Sequence, residues 1–191
     1  MSLASFVIGL VLPCFALGPP RLGDHANYEL STDRRRTSAT INSAHVDIGV
    51  DDVAGRGISL KLDYQLHTGN ASKVASLVKE VPFSKFSHHN LERLRNGETV
   101  TTPKVVIQHL GYETSVVNGV THQHMDILRL TSTKSTIFGL KNLTAKVWLD
   151  ADKVPLFGIV KIDVEGKRHG SVVKLGLDYV DIVRNEEETH H

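Results

Sequence analysis

The residues whose types and spacing could do chemistry fall in three places. His122-Gln123-His124 is the sharpest. On a strand, residues two apart share a face, so two imidazoles there could hold one metal ion. A third ligand is needed: Asp126 falls on the same face, and His109 can come close across a hairpin at Asn118-Gly119. Eleven histidines are spread along the chain, however, so a His-x-His pair also arises by chance on a solvated strand face. Asp150 with Asp152, and Asp51 with Asp52, could be read as paired carboxylates for acid–base work. Both pairs sit at turn signals, where aspartates satisfy backbone amides instead. No serine occupies a nucleophile elbow and no glycine-rich phosphate loop follows a strand. No catalytic residue and no cofactor is assigned, and the chain reads as a non-enzyme.

A second set is apolar. Leu60, Leu62, Leu66, Leu77, Phe86 and the single tryptophan, Trp148, are the candidate ligand-binding residues. A packed core and an apolar pocket use the same side chains and differ only in whether the gap is closed, so both readings stay open.

The elements that must position these residues are mostly strands. Residues 23–30 can form a first strand. Ala44, Val46, Ile48 and Val50 alternate with polar residues, and Ile58, Leu60, Leu62, Tyr64 and Leu66 do so more cleanly. That period of two, interrupted by turn chemistry at 51–57, predicts a hairpin with one dry and one wet face. The period then changes: Val74, Leu77, Val78 and Val81 fall on one helical stripe, which predicts a helix over 71–80, capped by Asn70 and stopped by Pro82. A second helix is expected over 84–95, ending at Asn96-Gly97. Strand character returns at 100–110 and 120–131, joined through the Asn118-Gly119 turn. The last third, 142–184, reads as three alternating runs with short connections, a β-meander carrying Trp148. The fold class that follows is α+β, a curved antiparallel sheet or incomplete β-barrel covering two short helices.

Composition sets the outer limits. With 191 residues and 40% apolar residues, the chain can build one real core. Lys and Arg number 22 against 21 Asp and Glu, so nothing predicts a polyanionic partner, and a nucleic-acid role is not expected. Residues 3–17 are nearly all apolar, too few to span a bilayer comfortably but suited to a signal peptide ending near residue 18. The mature domain would then be 19–185, a single β-rich unit, with 186–191 a frayed tail. The only cysteine, Cys14, lies in the leader, so no disulfide is expected after its removal. No later run is long enough for a membrane helix, which leaves no stable transmembrane segment after cleavage. Asn70-Ala-Ser72 and Asn142-Leu-Thr144 match the glycosylation pattern, though capping also explains Asn70.

Residues 146–161, Lys-Val-Trp-Leu-Asp-Ala-Asp-Lys-Val-Pro-Leu-Phe-Gly-Ile-Val-Lys, lead on to a closing Leu-Asp-Tyr strand. This tryptophan strand ending in Asp, with a Pro-containing turn behind it, resembles exported proteins of the LolA/LolB type. The resemblance implies an incomplete antiparallel barrel around helices and a periplasmic or secreted location. It also implies a lipid, lipoprotein acyl chain or other apolar ligand as partner. The same residues also suit a structural or interaction module of the cell envelope with a solid core. Metal binding through His122 and His124 is the third expectation.

Overall fold

A computed structural model describes residues 25–33, 41–54, 57–68, 71–82, 89–103, 105–133, 136–137, 140–150, 153–154, 158–168 and 171–181. The expected leader (1–18), the tail (186–191) and Phe86 lie outside these residues. The described strands are β1 (His25–Asp33), β2 (Ile41–Ala54), β3 (Gly57–Thr68), β4 (Ala71–Pro82), β5 (Val100–Thr101), β6 (Val105–Val117), β7 (Val120–Ser132), β8 (Thr136–Ile137), β9 (Leu140–Leu149), β10 (Ile159–Arg168) and β11 (Ser171–Asp181). One helix is described, α1 (His89–Arg95). The strands form a single antiparallel sheet in the order β4-β3-β2-β1-β11-β10-β9-β7-β6-β5, with β8 attached to β9. β4 and β5 lie at opposite ends of that path and do not pair, so the sheet is open. β6 and β11 nevertheless touch, although β7, β9 and β10 separate them in the ladder, and the sheet is therefore curved.

The predicted first hairpin is present with its apolar positions matched: Ala44 opposes Leu66, Val46 opposes Tyr64, Ile48 opposes Leu62, and Val50 opposes Leu60. The closing meander is likewise present as neighbours β9, β10 and β11. β1 joins the two halves, pairing β2 on one side and β11 on the other.

The helix expected over 71–80 is replaced by strand β4, which pairs with β3 from Gly57↔Pro82 to Thr68↔Ala71. The stripe at positions 74, 77, 78 and 81 fits a helical period, but three of its members are valines. Their branched Cβ favours the extended chain. The long, regular β3 offers a full ladder of backbone partners, and that ladder overrides the helical period. The second helix, expected over 84–95, is described from His89 to Arg95. α1 ends in a Schellman cap: Gly97 N–H donates to Leu94 O and Glu98 N–H to Arg93 O, both at 3.0 Å. Gly97 sits at φ +84°, a left-handed conformation that a side chain would strain. Only one of the two expected helices is thus found among the described residues.

The faces of the second half are set by alternation. Cross-strand rows Ile107–Leu130–Ala145–Val164 and His109–Leu128–Val147–Ile162 run across β6, β7, β9 and β10. Their apolar members are buried, and Leu91 and Leu94 of α1 join this core. Burying each of the Val, Leu and Ile side chains contributes roughly 1.5–3 kcal/mol before the entropy of ordering is subtracted. The rows that alternate with them, Arg129–Lys146–Asp163 and Thr131–Thr144–Glu165–Lys174, are polar throughout. This half of the sheet thus has a dry face and a charged one.

Candidate functional site

β6 and β7 form a hairpin closed by the expected two-residue turn. Val117 opposes Val120, and Asn118 and Gly119 have φ of 49° and 80°. That double positive φ is the type I′ geometry that Asn-Gly favours. The pairing then departs from ideal register twice. His109↔Leu128 is followed by Gly111↔Ile127, which inserts one extra residue on β6; Glu113↔Met125 and Ser115↔His122 insert one on β7. The second bulge falls at Gln123-His124, with His124 at φ 58°. Two compensating bulges keep the strands paired while locally changing which side chains face inward.

The second bulge parts the two histidines of the metal expectation. His122 and His124 are two apart, but the inserted residue breaks the period that would have placed them together. His122 is buried, at 1% exposure, and its Nδ1 lies 2.8 Å from Asp150 Oδ2. His124 is exposed and stacks on Tyr112, with ring centroids 4.2 Å apart. Asp126 and His109 do meet across the hairpin, His109 Nε2 lying 3.0 Å from Asp126 Oδ1. Arg95 of α1 engages the same carboxylate, its Nε and Nη2 donating at 2.9 and 2.6 Å. Among the described residues, no three His, Cys, Asp or Glu gather as a metal-ligating group.

Asp150 serves as the turn aspartate its position predicted. Its Oδ1 accepts from Lys153 N–H at 3.1 Å, and its carbonyl accepts from Val154 N–H at 3.1 Å. It therefore satisfies two amides of the turn while its second oxygen faces His122. A carboxylate can only accept, so His122 donates from Nδ1. Its Nε2 is buried with no hydrogen-bond partner. Asp152 lies outside the described residues.

The apolar candidates are dispersed. Leu60, Leu62 and Leu66 lie on β3 and Leu77 on β4, where Leu62 and Leu77 are register partners. Trp148 lies on β9, with β2, β1, β11 and β10 between β3 and β9 in the sheet. Trp148 shares its face with the polar rows, opposite Lys161 on β10. It is nevertheless nearly buried, because Lys146 and Lys161 set their ammonium groups 4.3 and 5.0 Å from its ring centre. Its Nε1–H donates to Glu113 Oε2 at 3.1 Å. A small cavity of about 50 Å³ adjoins it, bounded also by Met125 and Val160.

The indole N–H is the main reason that the Glu113 carboxyl titrates below its ordinary value of 4.5; it outweighs the opposing cost of burial, and Lys146 adds to the lowering. The interaction is therefore fully present above the ordinary glutamate range and is lost as the pH falls through the lowered folded value. As the sole tryptophan, Trp148 should report this directly. We expect its emission to change reversibly with a midpoint below 4.5, before far-UV circular dichroism changes, and E113Q to remove the step. A midpoint at the ordinary value would show that the contact does not persist in solution.

The larger recess lies over the charged face. A trough of about 750 Å³ crosses β7, β9, β10 and β11, bordered by Leu110 of β6 and carrying Arg129, Lys146, Asp163, Glu165 and Lys174. None of these residues stood out in the sequence. The alternation of 128–131 marks Arg129 and Thr131 as wet-face residues, but the β7–β9 pairing that completes the trough is not readable from spacing. No protein-family model and no curated protein matches the chain.

Proposed function

We propose that this protein is an exported, non-enzymatic binding protein for an amphipathic ligand, a lipid or an acyl chain carrying a polar end. The carrying observation is the trough of about 750 Å³ on the open sheet. Its size falls within the roughly 300–1,000 Å³ of small-molecule sites. Its charged walls suit the polar end of a ligand, and Leu110 at its border offers apolar surface. The apolar part of the ligand would gain roughly 25 cal/mol for each Å² it removes from water. The open antiparallel sheet and the LolA/LolB-like run around Trp148 agree with this reading.

Native mass spectrometry of the purified protein, together with titration by a fluorescent fatty acid, tests it. A lipid adduct or saturable, displaceable fatty-acid binding is expected. Finding neither would overturn the proposal and leave the reading of a solid-cored interaction module.

A further inference from the structure

Within the trough, the charges are not evenly matched. Lys146 Nζ lies 3.5 Å from Glu113 Oε2, and Asp163 Oδ2 lies 3.4 Å from Lys161 Nζ. Glu165 and Lys174 are direct cross-strand partners. Each of these four charges has an opposite one within reach. Arg129 is the exception: its register partners are Gln108 on β6 and Lys146 on β9, a neutral residue and a second cation. Like charges placed directly opposite each other destabilise a sheet, so the Arg129–Lys146 pair carries a standing cost that an anion would relieve. One row along the same face, Thr131 and Thr144 are also direct partners and bring two hydroxyls to the same side.

We propose that Arg129 is the seat of an oxyanion: the ligand of the trough carries a carboxylate or phosphate head group, held by the Arg129 guanidinium with Lys146 beside it. The inference rests on the trough being the ligand site. A guanidinium presents a planar fork that matches a carboxylate or phosphate with two parallel hydrogen bonds, which an ammonium cannot reproduce. The threonine hydroxyls can donate to a remaining oxygen. Asp163 and Glu165 on β10 bound the site on one side and repel an anion placed there, which confines the head group to the β7–β9 half.

The experiment uses the full chain and three probes of similar chain length: a fluorescent fatty acid, its methyl ester, and a lysophospholipid with an anionic phosphodiester. Charge-assisted hydrogen bonds contribute enough that the acid should bind roughly ten-fold or more tightly than its ester. Arg129→Gln should weaken the anionic probes by a similar factor and leave the ester unchanged, while Arg129→Lys should fall between. Arg129 is exposed, so circular dichroism and Trp148 emission of both variants should match the parent protein. Tight binding of only one anionic probe would identify the head group as carboxylate or phosphate and support the assignment. An ester that binds as well as the acid, or an Arg129→Gln protein that binds like the parent, would sink the oxyanion assignment and spare the trough. Failure of all three probes would sink the trough reading itself.

Discussion

Replacing Asp126 with Ala is expected to lower the unfolding free energy by about 3 kcal/mol, the lower end of the cost of breaking a buried ion pair. The carboxylate is 2% exposed, takes both donors of the Arg95 fork, and lies 3.0 Å from His109 Nε2. The lower end applies because the Arg95 side chain is 42% exposed and can turn its guanidinium to water once its partner is gone. Arg95→Ala should cost at least as much, since it leaves a buried carboxylate without its main donor. The loss should concentrate in α1. Seven residues are too few to hold a helix alone, so α1 depends on Leu91, Leu94 and this link to β7. Urea unfolding of the two single variants and the double variant measures the coupling, and amide exchange locates it. Two small, additive effects, with α1 amides as protected as before, would show that the pair does not anchor the helix.

That link also shows where the sequence stopped being informative. Strands with a clean period of two were legible: β2 and β3 pair with the apolar positions that alternation marks, and the Asn118-Gly119 turn appears where its chemistry requires it. The closing meander was legible for the same reason. The helix expected over 71–80 gives way to a strand because valines at positions 74, 78 and 81 satisfy both a helical stripe and a strand. Only the presence of a long partner strand decides between them, and that is a tertiary fact. The site was less legible than the fold. A bulge adds one residue without leaving a mark in composition, so nothing in His122-Gln123-His124 revealed that the two imidazoles would part. The pairing of β7 with β9 brings Arg129 against Lys146 and Thr131 against Thr144, and it skips β8. Spacing along the chain carries no information about which strands become neighbours across such a skip.

Asp150 offers the second large effect, because two unrelated tasks converge on one carboxylate. Asp150→Ala removes the cap on Lys153 N–H, worth about 1 kcal/mol. It also leaves the His122 Nδ1–H buried without an acceptor, at about 2 kcal/mol. The expected loss is therefore about 3 kcal/mol, although Asp150 lies at a strand end and belongs to no apolar row. Asp150→Asn separates the two tasks. Its single amide oxygen can accept from Lys153 or from His122, but its NH₂ cannot accept the other, so an intermediate loss of about 1–2 kcal/mol is expected. Removing His122 as well should recover part of the cost of Asp150→Ala, since the stranded donor disappears with it. Chemical denaturation of Asp150→Ala, Asp150→Asn and the His122→Ala/Asp150→Ala pair tests the scheme. If Asp150→Asn were as damaging as Asp150→Ala, one accepting oxygen would have no value and the division into cap and histidine acceptor would be wrong. If the double variant were no better than the sum of its parts, His122 would not be the group that Asp150 satisfies.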